Sequence, residues 1–193
     1  IWSTTPLGIV WSSESVDPIL AVFLRMTIAA VLGYITILFT KISMRWDKQA
    51  MQIYGYSLIG VYGAMLFSYM AARYIPSGLM SLLFGLSPLL SGLLAQKLLG
   101  EPPFGPIRWA AMILSLFGLF TICADNILLS NNGWIGILLI LTAVFLFSFS
   151  AVMVKKVNAN MNPLGSTVGT LVLSLPLYGI TWLILGDTPQ PEQ

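Results

Sequence analysis

Apolar residues fill seven continuous stretches of this chain, and short polar segments separate them. Six of the stretches are roughly 18–23 residues long, close to the ~20 residues with which a helix crosses about 30 Å of hydrocarbon. The stretches do not alternate apolar and polar residues as the strands of a membrane barrel do. The pattern predicts an all-α, polytopic membrane bundle of seven transmembrane helices. The predicted spans are Ile1–Ser12, Pro18–Thr40, Ile53–Tyr74, Ser77–Leu99, Ile107–Ala124, Trp134–Val154 and Leu164–Leu185.

The composition agrees with this prediction. The chain is 57% hydrophobic and 8% charged, whereas a soluble domain carries about 25% charged residues. Helices satisfy every backbone polar group internally, which lipid requires. We therefore predict one integral unit within the lipid bilayer, without a soluble domain.

Basic residues concentrate in alternate loops. Seven of the nine Lys and Arg residues lie in the loops after the second, fourth and sixth stretches or near the ends of the stretches that flank these loops, whereas the loops after the first and fifth carry only acidic charges. Because the Lys and Arg bias orients membrane helices, the even-numbered loops and the amino terminus are predicted to be cytoplasmic. The first stretch covers only ~18 Å at 1.5 Å per residue, so its helix is expected to be incomplete at its start.

Two parts of the chain share one layout. After Val10 and again after Val154, a short polar loop leads to a proline, Pro18 or Pro163, and the new helix carries a glycine some 15 residues later. The first of these loops is acidic and the second is basic, so they are predicted to lie on opposite sides of the membrane. This is the pattern of an inverted repeat of five helices, which is common among secondary transporters.

The stretch from Tyr74 to Gly118 resembles the EamA-type repeat of the drug/metabolite transporter (DMT) superfamily. The matching features are small residues after a tight turn, the Ser87-Pro88 step in mid-helix and the Leu99-Gly100-Glu101 sequence. The resemblance implies a fold of ten helices in two inverted repeats of five. Residues 1–124 would then form the first repeat. Residues 133–193 would begin the second repeat with helices six and seven, and helices eight to ten would be lacking.

That arrangement has a consequence for the last two helices. Without their partners they are expected to expose apolar side chains, together with some of Gly165, Gly169 and Gly179, to lipid or to a neighbouring chain. A homo-oligomer is therefore one expected assembly.

Polar residues inside the spans are the candidates for a substrate path. Arg25 is the one charge inside the second span. Intramembrane charges usually face a cavity, although an arginine at this depth nearly reaches the outer interface. In the first stretch, hydroxyl groups either line a cavity or bond their own helix. The resemblance places this helix beside the central path, which adds Trp2, Ser3, Thr4 and Thr5 as candidates.

Two further helices carry candidates. Tyr62 and Tyr69 lie seven residues apart on one face of the third helix, where they either meet a ligand or pack. Ser87 and Pro88, preceded by Gly85, predict a kink in the fourth helix that acts as a hinge or as a static shape.

Other residues are predicted to be structural. Small residues from Gly60 to Ala72 step by four along the third helix, as do Ser77, Ser81 and Gly85 along the fourth, and this spacing favours close helix packing. Glu101 is expected to cap the next helix or to pair with Arg108.

The chain lacks the residues that several classes of function require. The chain has no histidine and no acidic residue inside any predicted span. We therefore expect no enzyme, no catalytic residue, no metal and no cofactor. Nucleic-acid binding would need a basic patch, and the sequence does not contain one.

These features favour a secondary transporter that exports or exchanges small metabolites, amino acids or drugs by alternating access. The transporter is expected to lie in a bacterial inner membrane and to bind a small-molecule substrate. The alternatives are a non-transporting membrane interaction or scaffold protein, and a non-functional fragment of a transporter.

The charge pattern makes a direct prediction about orientation. The Lys41–Lys48 and Lys155–Lys156 loops should be cytoplasmic, and the Asp125–Asn132 loop should face outward. Labelling of Ser130→Cys with a membrane-impermeant thiol reagent, in a chain whose Cys123 is replaced, tests this. Labelling from the cytoplasmic side alone would overturn the assignment.

Overall fold

The computed structural model describes residues 5–15, 17–129, 132–157 and 160–185, and the described part contains seven helices and no strand. The predicted all-α membrane bundle is thereby confirmed. The helices are α1 Thr5–Ser15, α2 Pro18–Thr40, α3 Lys48–Ala71, α4 Ser77–Leu99, α5 Pro106–Leu129, α6 Gly133–Val157 and α7 Pro163–Leu185.

Five of these helices are long and apolar enough to cross a membrane, namely α2, α3, α4, α6 and α7. The apolar part of α5 that could be searched is shorter and covers Pro106–Gly118. Helix α5 also continues to Leu129, five residues past its predicted end at Ala124. Asp125 does not end the helix, because the apolar residues that follow it continue the helical pattern.

Two helices are irregular. Helix α3 contains a π-helical turn over Ile59–Ala64, a feature that often marks functional sites. Helix α4 consists of two parts, Ser77–Phe84 and Ser87–Leu99. Both irregularities lie near the middle of their helices, at a depth where lipid would leave a free backbone group unsolvated.

Loops that lie at the same end of the bundle contact each other. Arg73, between α3 and α4, forms an ion pair with Asp17 before α2 at 2.9 Å. Asp17 also caps α2 by accepting hydrogen bonds from the backbone of Ile19 and Leu20. We call this side the acidic end. It includes the described residues of the α1–α2 and α3–α4 loops.

The opposite side, the basic end, comprises the α2–α3, α4–α5 and α6–α7 loops. Glu101 after α4 forms an ion pair with Lys155 in the last turn of α6. Arg45 binds Asp47 through both carboxylate oxygens at 3.0 Å and also donates to the carbonyl of Asn160 at 3.2 Å. Odd loops therefore contact odd loops and even loops contact even loops, as an up-and-down bundle requires.

Small residues let the helices approach closely. Helix α2 packs along α7, and α6 lies against both α3 and α4. A methyl group added to Gly33 would come within 2.6 Å of Val168, and one added to Gly60 would come within 2.7 Å of Ser150. The structure therefore confirms close packing at Gly60, as expected for helices that associate in lipid.

Some of the three α7 glycines were expected to be exposed. Gly165 and Gly169 are buried, and Gly179 is partly buried. The Tyr54 ring covers Gly169 so closely that an added methyl group would lie 2.5 Å from it. The hydroxyl of Tyr54 donates to the carbonyl of Arg45 at 2.8 Å. The sequence reading missed this contact because it gave α7 no neighbour from α3.

The outer surface of the bundle is apolar, as a lipid-facing surface must be. Large hydrophobic side chains project from it, and several are more than two thirds exposed. Among the most exposed are Phe39, Ile107, Leu114, Leu183 and Ile184.

Candidate functional site

The interruption of α4 results from one residue, Pro88. Pro88 has no backbone N–H, so the carbonyl of Phe84 cannot receive the helical hydrogen bond that residue 88 would otherwise donate. The hydroxyl of Ser87 donates to that carbonyl instead, at 2.8 Å. Before the break, the N–H of Gly85 bonds to the carbonyls of Ser81 and Leu82 at 3.2 and 3.0 Å. The predicted kink is thus confirmed as a break at Gly85–Leu86.

A cavity of about 530 Å³ lies beside this break, between α4 and α6. The candidates Ser87 and Pro88 both line it. Ser81 and Gly85, which were expected to pack against another helix, also face the cavity. The complete lining is Ser81, Phe84, Gly85, Ser87, Pro88 and Ser91 from α4, with Phe147, Ser148 and Ala151 from α6. We call this the α4–α6 cavity.

Four serines supply the polar part of the lining. Each donates its hydroxyl proton to a backbone carbonyl. The acceptors are Ser77 for Ser81 at 3.0 Å, Phe84 for Ser87 at 2.8 Å, Pro88 for Ser91 at 3.1 Å and Ser87 for Ser148 at 3.2 Å. The bond from Ser148 crosses between the helices and joins α6 to the break in α4.

Helix α1 reaches the same region. Thr5 and Pro6 line a second, smaller cavity of about 20 Å³, which is close to the volume that one water needs. Phe84 and Phe147 line both cavities. Thr5 therefore lines a cavity that shares two phenylalanine rings with the α4–α6 cavity. The candidates Trp2, Ser3 and Thr4 lie outside the described residues.

Arg25 belongs to a separate polar cluster. Its Nη1 atom donates to the hydroxyl oxygen of Tyr69 at 3.4 Å, and the Oγ atom of Ser12 lies 3.4 Å from the same oxygen. Tyr69 is fully buried and Arg25 is partly buried. This cluster joins α1, α2 and α3 toward the acidic end, and its members are not among the lining of the α4–α6 cavity.

Tyr62 makes its contacts with α7. Its hydroxyl lies 2.6 Å from Oγ1 of Thr181, and its ring meets the ring of Tyr178 edge-on at 5.0 Å. Tyr178 donates its hydroxyl proton to the carbonyl of Val61 at 2.5 Å. Val61 lies within the π-helical turn, where the altered bonding pattern makes a carbonyl accessible to a side chain. Tyr62 and Tyr69 thus contact α7 and α2, which pack against each other.

The sequence reading missed the α6 half of the cavity. Ser148 and Ser150 interrupt an otherwise apolar run, and both are buried. That interruption was the available signal, but a serine in an apolar helix bonds its own backbone as readily as a neighbour. The partner of Ser148 on α4 becomes visible only in the folded bundle.

Contacts at the basic end join the α4–α5 loop to its neighbours. The expected pairing of Glu101 with Arg108 is wrong, because Glu101 pairs with Lys155 instead. The guanidinium of Arg108 lies over the Phe104 ring, 5.9 Å from its centroid. The Phe104 ring in turn packs against Gly92, where an added methyl group would come within 2.3 Å of it. These contacts tie the α4–α5 loop to α4 and to α6.

Within the part of the chain that the structure describes, no group of three or more His, Cys, Asp or Glu residues could hold a metal ion. The comparisons with known proteins give one match. Residues 1–124 match the model of the EamA-like transporter family. No curated protein and no solved structure matches the chain.

Proposed function

Because the chain belongs to the EamA-like transporter family, we propose that it is a secondary transporter that carries a small metabolite, amino acid or drug across a bacterial inner membrane. The family and the apolar helices make it an integral membrane protein of the DMT type. Export or exchange, alternating access and a cytoplasmic amino terminus are parts of the proposal.

The single observation that carries the proposal is the α4–α6 cavity beside a broken helix. Irregular backbone at membrane depth is tolerated where it is buried in protein or lines a cavity. Transporter sites commonly form at such discontinuous helices near the middle of the membrane. The volume of about 530 Å³ falls in the range of about 300–1,000 Å³ that is typical of small-molecule sites.

We propose that Ser87, Pro88 and Thr5 belong to the substrate path at this cavity. Arg25, Tyr69 and Tyr62 lie outside the lining of the cavity, and we include them in the proposed path as polar groups between the cavity and the acidic end. Trp2, Ser3 and Thr4 remain sequence-based members of the same path. The division into a first repeat over residues 1–124 and a second that begins at residue 133 stays part of the proposal.

The contacts around the cavity suit a reversible opening. The ion pair between Glu101 and Lys155 joins the ends of α4 and α6, and both side chains are exposed. An exposed ion pair contributes only about 0–1 kcal/mol, so separating it costs little. The break at Gly85–Leu86 divides α4 into two parts that can change their relative angle. Alternating access would use this break as its hinge.

Filling the cavity tests the proposed function. Ala151→Phe places an aromatic ring in the cavity from α6 and should lower transport by about tenfold or more, because the ring takes space that the solute would occupy and a loss of about 1.4 kcal/mol in binding is tenfold in affinity. The readout is solute flux into proteoliposomes that contain the protein expressed from its intact gene. Ala111→Phe is the matched control, because Ala111 is exposed on α5 and its ring would face lipid. Equal flux in both variants at equal abundance would contradict the proposal and favour the scaffold alternative.

A second test concerns the polar continuation of the path. Arg25→Ala should reduce flux by at least about tenfold if its charge contacts the substrate, because a hydrogen bond to a charged group contributes about 1.5–3 kcal/mol. Arg73→Ala is the control, since it breaks an exposed ion pair with Asp17 and should change flux by no more than about twofold to fivefold. Near-normal transport by Arg25→Ala would contradict the assignment of Arg25 to the substrate path.

A further inference from the structure

We propose that Arg25 and Tyr69 form a binding site for the carboxylate group of a solute, between α1, α2 and α3. The guanidinium of Arg25 and the hydroxyl of Tyr69 would both donate hydrogen bonds to the carboxylate oxygens. The inference names a substrate class for the proposed transporter. It rests on the proposed function for transport only, because binding is measured separately.

Arg25 directs its charge into the bundle. Ala21 and Val22, which precede it by four and three residues, are buried, and a helical side chain lies over the turn that precedes it. The Nη1 atom of Arg25 donates to the hydroxyl of Tyr69, which is fully buried on α3. The guanidinium is therefore held among helices rather than turned toward lipid.

Among the residues that the structure describes, no acidic side chain pairs with Arg25. The acidic residue of the described α1–α2 loop, Asp17, is engaged at both oxygens. Its Oδ1 atom accepts from Arg73, and its Oδ2 atom accepts from the backbone of Ile19 and Leu20. Because a charge inside a membrane is costly unless it is paired or solvated, the guanidinium is suited to an anionic ligand.

Tyr69 is bonded only loosely for a buried tyrosine. Tyr54 and Tyr178 are equally buried, and their hydroxyls lie 2.8 and 2.5 Å from backbone carbonyls. The hydroxyl oxygen of Tyr69 instead has contacts of 3.4 Å with Arg25 and with Ser12. Both exceed the roughly 2.5–3.2 Å of ordinary protein hydrogen bonds. The Tyr69 proton can therefore turn to a ligand oxygen without breaking a short bond.

A carboxylate complements these two groups. The planar guanidinium of arginine matches the two oxygens of a carboxylate, whereas an ammonium group would meet a like charge. The position of the site agrees with the proposed path. Ser12 and Tyr69 lie about one turn nearer the acidic end than Ile9 and Met65, which line the smaller cavity. A lipid phosphate would use the same donors, so the test must separate the two sources.

The test compares carboxylates with amides of the same shape, namely benzoate with benzamide and hexanoate with hexanamide. Binding to the purified protein, expressed from its intact gene, is measured by titration calorimetry in detergent at neutral pH. At least one carboxylate should bind about tenfold or more tightly than its amide, because hydrogen bonds between charged groups are the stronger ones. If neither carboxylate binds more tightly than its amide, the proposal is overturned.

A matched pair of variants locates the effect. Tyr69→Phe keeps the ring and should weaken carboxylate binding about threefold to tenfold, in line with the usual contribution of one hydrogen bond. Tyr54→Phe is the control, because it also removes a buried hydroxyl but does so at the basic end. Arg25→Ala should abolish the preference for the carboxylate. Equal losses of affinity in Tyr69→Phe and Tyr54→Phe would overturn the assignment of the site.

Added lipid separates a solute from a lipid headgroup. The titration is repeated in micelles that contain phosphatidylglycerol or, as the control, phosphatidylcholine. The carboxylate affinity should stay within about threefold, which is the change that the surface potential of anionic lipid can cause. Loss of carboxylate binding with phosphatidylglycerol alone would assign the donors to a lipid phosphate and overturn the proposal.

Flux measurements separate this inference from the proposed function. If the carboxylate binds through Arg25 and Tyr69 but the protein carries no solute into proteoliposomes, the binding site stands and the transport function fails. If the protein carries solutes without a carboxylate and binds neither benzoate nor hexanoate, transport stands and the substrate class proposed here is wrong.

Discussion

In hydrocarbon, a backbone carbonyl that loses its helical partner must find another, and Pro88 creates this situation in the middle of α4. The Ser87 hydroxyl resolves it for the carbonyl of Phe84, and Ser148 from α6 then bonds the carbonyl of Ser87. These two side-chain bonds stabilise the broken helix. One missing amide proton thus determines where the helix breaks.

Close packing elsewhere in the bundle holds this region in place. The hydrophobic effect gives little drive for helix association in lipid, so contact area and small residues must supply it. Because Gly33 has no side chain, Val168 of α7 packs directly against α2. In the same way, Ser150 of α6 packs against α3 at Gly60. Helix α6 is thereby held against α3 on one side and against α4 on the other. The cavity therefore lies between two helices whose other contacts are tight.

The helices were predictable because lipid imposes a length and a composition on every span, and all seven predicted spans end within five residues of the ends of the described helices. The break in α4 was predictable for a similar reason, since Pro88 acts locally. The partners of Glu101 and Ser148 were not predictable. An acidic group in a loop has several basic groups within reach, and sequence spacing favoured Arg108 over Lys155. The π-helical turn that brings Tyr178 to Val61 likewise depends on α7 being present beside α3.

We propose that a transported solute binds in the α4–α6 cavity. The cavity would open to one side of the membrane and then to the other. Modification of Ala151→Cys, in a chain whose Cys123 is replaced, tests this most directly. A membrane-impermeant thiol reagent should react with this position when applied from either side of sealed vesicles, and a transported solute should slow both reactions. Reaction from one side only, or no protection by any transported solute, would contradict the account.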